Sequence, residues 1–431
     1  MTATPENQGI LRFITAGSVD DGKSTLIGRL LYDSKGIFAD QLSAISKSRF
    51  KRTAGDAIDL ALLTDGLEAE REQGITIDIA YRYFSTPKRK FIIADAPGHE
   101  QYTRNMVTGA STADAAIILI DATRVVGGEL LAQTKRHSVI AKLLGIANII
   151  VAVNKMDLVD FSEAHFNMIQ TAYARLATEL GLQNVHYIPV SALNGDNVVE
   201  ATESMSWYGG EPLLTLLEGL SVSTQQEAAP FRFPVQIVAR QDGSSADDFR
   251  GYMGRVESGS VAVGDTITVQ PARISATVAE ILGPNGNLDV AHAGQSVTIR
   301  LGEDVDVSRG DVLAKGEVTV SNKFIADLCW FDEDALTIGR KYLLKTGTAI
   351  IPAKVQSVTD VLDIHTLALH NTAQEQSSRT DVKMNDIAIV SVLAQKPIVC
   401  EPYAVNHATG AFVLIDEVSH QTVAAGMILQ S

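Results

Sequence analysis

Cysteine is nearly absent from this sequence of 431 residues, which holds only Cys329 and Cys400. A lone pair cannot build a disulfide framework and offers no metal-ligand spacing, so a reducing compartment and two buried thiols are expected. Long apolar runs are missing as well. Stretches such as Ala115 to Ile120 and Ile146 to Val153 fall far short of the roughly 20 residues that a helix needs to span a bilayer. The opening MTATPENQGI has neither a basic start nor an apolar core, so no secretory signal is expected and the cytoplasm is the expected location. Basic side chains are outnumbered, 36 against 51 acidic ones, and the net charge of −15 disfavours loose attraction to nucleic acid or an anionic membrane. Neither is an expected partner. Hydrophobic residues at 45% and charged residues at 20% exclude wholesale disorder, and the length suits about three domains.

From Ile10 to about Leu220, short apolar runs alternate with longer helical patterns, which predicts a mostly parallel sheet covered by helices. Buried strands are expected at Leu11 to Ala16, Lys90 to Asp95, Ala115 to Asp121, Asn148 to Asn154 and His186 to Pro189. Ligands of such sheets lie at the C-terminal ends of the strands. Ser221 to Pro230 reads as a linker. Beyond it apolar and polar residues alternate between glycine turns, as in Tyr252 to Val269, which predicts antiparallel β structure. The expectation is therefore multidomain: an N-terminal α/β domain over residues 1–222, followed by two antiparallel β-barrel domains over 231–318 and 319–431.

The phosphate-binding reading rests on Gly17 to Thr25, GSVDDGKST, which fits G-x-x-x-x-G-K-[ST] between a strand and a helix. Gly17, Gly22 and the neighbouring N–H groups of Asp21, Ser24 and Thr25 would close around phosphates. Lys23 would add a fixed cation, and the Ser24 hydroxyl would ligate Mg²⁺. Asn154, Lys155 and Asp157 form an N-K-x-D at the end of a buried strand, and its carboxylate can accept both the N1–H and the 2-amino group of guanine. Ser191, Ala192 and Leu193 end the next strand and would complete the base pocket, with the Ala192 N–H facing the guanine oxygen. Asp95-Ala96-Pro97-Gly98-His99 would hold Mg²⁺ through Asp95, bond the γ-phosphate through Gly98, and place His99 at the attacking water. Upstream, in Glu70 to Asp78 (EREQGITID), Thr76 can reach the same metal and Gly74 lets the loop move when the γ-phosphate leaves.

Together these segments resemble the translational GTPase superfamily typified by elongation factor Tu. The phrases Gly254 to Asp265 and Thr422 to Met427 resemble that group's second and third domains. Finer wording is similar to the GTPase (large) subunit of bacterial heterodimeric sulfate adenylyltransferase, carried by Gly17 to Asp33, Asp95 to Asp121 and Gln133 to Ile146, and by the insert from Ser34 to Glu68. The resemblance implies GTP and Mg²⁺ as cofactors, His99, Thr76 and Lys23 as catalytic residues, and Ser24, Thr76 and Asp95 around the metal. It also implies an apolar gate of Val19 and Ile75 before His99, and a K⁺ site at Asp20 beside the γ-phosphate. GTP hydrolysis would drive ATP and sulfate to adenosine 5′-phosphosulfate and pyrophosphate, for sulfate assimilation and cysteine biosynthesis.

No further phosphate loop, SGGxDS or HxGH occurs in the sequence, so adenylylation is expected on a small catalytic partner subunit. Adenosine phosphosulfate kinase, fused in some relatives, is expected to be absent here and present, if at all, as a separate chain. The alternative is an elongation factor that carries aminoacyl-tRNA. Against it, Val320 to Ser431 holds eight Lys and Arg to twelve Asp and Glu, and NHATGAFVLID lacks the basic residues expected of such a factor. The cluster Lys47, Arg49, Lys51 and Arg52 and the pair His365 and His370 read as solvated charge and ordinary strand positions, and Lys88-Arg89-Lys90 as a charged turn.

Overall fold

The computed structural model of the chain describes residues 9–34, 60, 78–99, 102–222, 228–240, 249–364, 366 and 381–431. Two compact units are present, Met1–Val222 and Ser223–Ser431. In the first, among the described residues, six strands form one sheet: β1 (Ile10–Ala16), β2 (Ala80–Ser85), β3 (Lys90–Asp95), β4 (Ala115–Asp121), β5 (Asn148–Asn154) and β6 (Asn184–Pro189), in the order β2-β3-β1-β4-β5-β6. Only β2 runs antiparallel, against β3. The helices described are α1 (Lys23–Asp33), α2 (Thr103–Ala110), α3 (Ala132–Leu143), α4 (Glu163–Leu180) and α5 (Leu213–Gly219).

Strands β4 and β5 are buried along their whole length, as their unbroken apolar runs require when both sheet faces are covered. Phe13, Leu26, Ile93, Ile117, Ile150 and Leu217 lie in the core that joins strands to helices. Register then places the chemistry. Thr15 pairs with Asp95 and Asp121 with Asn154, so β1, β3, β4 and β5 end side by side.

The charged turn between β2 and β3 is less solvated than its sequence suggests. Lys88 does pair at the surface with Glu218 (2.8 Å), but Arg89 is buried and donates to the Leu217, Glu218 and Leu220 carbonyls. Carbonyls at a helix C-terminus have no intrahelical donors, so a buried guanidinium beside α5 is stabilised there.

In the second unit the strands are β7 (Arg232–Arg240), β8 (Arg250–Arg255), β9 (Ser260–Ala262), β10 (Thr266–Gln270), β11 (Ile274–Gly283), β12 (Gly286–Leu288), β13 (Val290–His292), β14 (Ser296–Leu301) and β15 (Val312–Ala314). The order β10-β15-β7-β8-β14-β11 is closed by pairing of β10 with β11, with β12 appended and β9 and β13 as a separate ribbon. A second barrel closes in the order β16-β19-β18-β17-β20-β21, from β16 (Val320–Trp330), β17 (Lys341–Thr346), β18 (Ala349–Val361), β19 (Ile387–Val399), β20 (Ala411–Asp416) and β21 (Thr422–Gln430). Inward residues alternate with outward ones, and Phe233, Tyr252 and Ile299 fill the first barrel as Phe324, Trp330 and Phe412 fill the second.

Arg232 of the first barrel is 1% exposed and forks onto Glu401 of the second, Nε to Oε2 at 2.9 Å and Nη2 to Oε1 at 2.6 Å. Its remaining donors reach the carbonyls of Phe231, Lys315 and Glu317, and Thr409 Oγ1 donates to Glu401, so the buried charges are paired and hydrogen-bonded. Both cysteines are free and buried, and burial pushes the Cys329 thiol up to about 12, which keeps it an unreactive thiol. Among the described residues no helix is long and apolar enough to cross a membrane. The basic cluster at 47–52 and His365 and His370 lie outside the described residues.

Candidate functional site

The turn after β1 is organised around Lys23. Its Nζ donates to the Gly17 carbonyl (2.9 Å) and the Ser18 carbonyl (2.8 Å), which curls the loop over the start of α1. Burial lowers the affinity of this amine for its proton, and the neighbouring charges of Asp95, Asp21 and Asp20 oppose that. Gly22 takes a left-handed φ of 91°, and a Cβ there would meet Asn154 Nδ2 at 2.4 Å. Asp20 is left-handed too, at φ 67°, a conformation that a non-glycine residue holds only when its surroundings impose it.

Asp21 is buried, and its carboxylate accepts from the Ser18 N–H at 2.5 Å. Burial pushes this carboxyl up to about 6, against the pull of Lys23, the Ser18 N–H and Arg124. Ser24 and Thr25 follow in the first turn of α1, partly exposed, where helix N–H groups lack intrahelical partners and favour an anion.

Asp95 ends β3, is buried, and accepts a hydrogen bond from Thr15 Oγ1 (3.2 Å). The turn that follows lies hard against the phosphate loop: a Cβ on Gly98 would come within 2.5 Å of Lys23 Nζ and 2.9 Å of the Gly17 carbonyl. His99 is exposed, its ring edge-on to Tyr102 at 6.4 Å. Gly74, Ile75 and Thr76 lie outside the described residues. The structure thus brings together Gly17, Asp21, Gly22, Lys23, Gly98 and Asn154. A hydroxyl at Ser24 and a carboxylate at Asp95 are hard oxygen donors of the kind that suits Mg²⁺.

On the base side, Asn154 Nδ2 donates to the Asp21 carbonyl (2.8 Å), and its Oδ1 accepts the Ala192 N–H (2.9 Å). The Ala192 N–H, expected to face a guanine oxygen, is thus already engaged within the protein. Lys155, left-handed at φ 62°, pairs with Asp121 Oδ2 at 2.7 Å. Burial works against the Asp121 carboxylate, yet hydrogen bonds from Lys155 and Thr123 hold it below the usual carboxylate range. Asp157 is partly exposed in the turn after β5, Ser191 is buried and caps the Asn194 N–H, and Leu193 is exposed.

Four residues of this region lie outside the nucleotide-binding motifs. Asp121 orients Lys155, and as an acid at the end of a buried parallel strand it carries a positional signal. Thr15 fixes Asp95. Arg29 of α1 donates to the Ala192 and Leu193 carbonyls. Arg124 reaches the phosphate loop from the far side.

A strand-turn-helix phosphate cradle, a carboxylate turn pressed against its lysine and an Asn-Lys-x-Asp tied into it define a GTP-binding protein of the elongation factor Tu type. Residues 8–223 match the family described as "Elongation factor Tu GTP binding domain", 252–314 match "Elongation factor Tu domain 2", and 323–429 match "GTP-eEF1A C-terminal domain-like". The chain belongs to the sulfate adenylyltransferase subunit 1 family. It is 51% identical over 430 residues to "Sulfate adenylyltransferase subunit 1" of Saccharophagus degradans, covering 99% of this chain and 88% of that one. It is also 51% identical to "Bifunctional enzyme NodQ" of Rhizobium sp., covering 100% of this chain and 65% of that longer one. The crystal structure of the S. cerevisiae Ski7 GTPase-like domain bound to GTP is similar in fold, with a TM-score of 0.52, 16% identity and coverage of 98% and 97% of the two chains. The aminoacyl-tRNA carrier reading gives way to membership in the sulfate adenylyltransferase family.

Proposed function

We propose that this chain hydrolyses GTP to drive adenylyl transfer from ATP to sulfate, the transfer itself taking place on a small partner subunit. The observation that carries the reading is the convergence of Gly98 and Asn154 on the loop that Lys23 organises, because it joins the γ-phosphate side of a nucleotide site to its base side. Making a phosphate–sulfate anhydride from a stable oxyanion is uphill, and a second nucleotide's hydrolysis can pull it forward. The relatives' printed name, a numbered subunit, supports a hetero-oligomer. The expected domain limits are residues 1–222, 231–318 and 319–431, and the expected location is the cytoplasm.

In this reading Lys23 and the N–H groups of Asp20, Asp21, Gly22, Ser24 and Thr25 hold the phosphates, and Gly17 permits their approach. Gly98 bonds the γ-phosphate. Asp157 accepts from guanine, Lys155 is held beside it by Asp121, and Ser191, Ala192 and Leu193 close the base pocket, with Asn154 sharing the Ala192 N–H. Ser24, Thr76 and Asp95 hold Mg²⁺, which when bound neutralises charge on the phosphate oxygens. His99 orients the attacking water, with Val19 and Ile75 as the apolar gate before it, and Asp20 would hold a K⁺ that supplies positive charge there.

The test combines the chain with its candidate small subunit, ATP and sulfate, and follows GTP hydrolysis and adenosine phosphosulfate together. Partner-dependent stimulation of both is expected, and His99→Ala should lower the stimulated GTPase rate by about 10²-fold or more. Stimulation of neither, with aminoacyl-tRNA bound tightly, would overturn the reading.

A further inference from the structure

In a trans peptide the carbonyl and the following N–H point in opposite directions, so whatever fixes a loop carbonyl also aims the next N–H. Among the described residues the only cis bond is Gln270-Pro271, so the rule holds along the phosphate loop. Lys23 draws the Gly17 and Ser18 carbonyls inward, and the Ser18 N–H accordingly turns away, onto the Asp21 carboxylate. Asn154 holds the Asp21 carbonyl, which turns the Gly22 N–H the other way.

One more loop carbonyl is held by a side chain. Arg124, in the short turn after β4, donates from Nη1 to the Val19 carbonyl at 2.8 Å and lies 3.4 Å from Asp21 Oδ1. Its side chain is 42% exposed while Asp21 is 1% exposed, so the guanidinium grips the loop from its outer side. The next peptide N–H belongs to Asp20, whose left-handed φ of 67° needs an external hold.

We propose that Arg124 is a positioning residue of the phosphate loop, which by holding the Val19 carbonyl outward aims the Asp20 N–H at the nucleotide phosphates. This rests on the reading of the loop as a GTP site. The hold is a charge-assisted hydrogen bond, stronger than a neutral one, and the adjoining carboxylate keeps the guanidinium in place. Asp21 thus has two tasks, accepting the Ser18 N–H and steadying Arg124.

The full chain as wild type, Arg124→Ala and Arg124→Lys is titrated with GTP, GDP, GMP and ATP. Arg124→Ala should bind GTP and GDP about tenfold more weakly, and the preference for GTP over GMP should shrink while the preference for GTP over ATP stays within twofold. Arg124→Lys, which keeps one donor for the Val19 carbonyl, should recover part of the loss. The melting temperatures of all three should lie close together, because the Arg124 side chain, 42% exposed, sits at the outer side of the loop. GTP affinity of Arg124→Ala within twofold of wild type would overturn the proposal, as would loss of guanine preference together with phosphate affinity. A wild-type chain that binds no GTP would strike the underlying reading instead.

Discussion

Asn154 donates to the main-chain carbonyl of Asp21 across 133 positions of sequence, at 2.8 Å. Through this bond and the Ala192 N–H on its other oxygen, one amide joins the phosphate loop, the end of β5 and the end of β6. Asn154→Ala should therefore weaken phosphate and base recognition together, with GTP affinity falling about a hundredfold for two lost buried hydrogen bonds. Titration with GTP and with GMP checks this. Loss of GTP binding with GMP binding intact would contradict the bridging role.

Asp157 is the acceptor expected to choose the base. Asp157→Asn turns one acceptor into a donor, which opposes the guanine 2-amino group and suits an oxygen at that position, as in xanthine. GTP affinity should fall by about a hundredfold or more, and xanthosine triphosphate should bind better than GTP. Competition binding decides it, and unchanged preference for GTP would remove Asp157 from the base pocket.

The buried pair Arg232–Glu401 joins the two barrels. Arg232→Ala strands a buried carboxylate and three carbonyls, and should cost about 3–5 kcal/mol. Replacing both partners by apolar residues of similar volume should recover only part, because the carbonyls of Phe231, Lys315 and Glu317 still lose their donor. Denaturant unfolding followed by the fluorescence of buried Trp330 measures this; a loss below about 1 kcal/mol would mean that the pair adds little.

His137 on α3 is 1% exposed, takes a hydrogen bond at Nε2 from Gln133 (3.0 Å), and among the described residues has no partner for Nδ1. Burial, with the charges of Lys23 and Arg136 adding to it, lowers its pKa to about 3. The folded chain therefore binds fewer protons at this site than the unfolded chain between about pH 3 and 6.5, and stability falls as pH falls through that window. Relative to His137→Gln, the wild type should lose about 2 kcal/mol between pH 8 and pH 5, read from unfolding midpoints at the two pH values. Parallel pH dependence of the two proteins would show that His137 does not titrate this way.

Much of this architecture is readable from the one-dimensional pattern because its strands are buried on both faces. The run that forms β5 ends at Asn154 in the structure as it does in the apolar pattern, and β3, β4 and the phosphate loop behave alike. What escapes reading is the pairing of long side chains between loops. Nothing in the tripeptide Ala122-Thr123-Arg124 announces a carbonyl in the phosphate loop, since the contact depends on β4 lying beside β1. Arg89 sits in a run that looks solvated, and the helix end that draws it inward comes 128 residues later. The bond from the Ala192 N–H to Asn154 escapes reading too, because its partners lie 38 positions apart and meet only where β5 and β6 end together.

The second barrel closes only when β16 meets β21, pairing Ile325 with Gln430 and Trp330 with Ala424. During synthesis at roughly 5–20 residues per second, β16 must wait about 5–20 s for that partner. Throughout the wait its edge is unpaired and its inward Phe324, Leu328 and Trp330 have no finished core to enter. The closure that leaves the finished barrel without a free edge thus leaves its growing chain with one, which a chaperone or an early-arriving partner would cover.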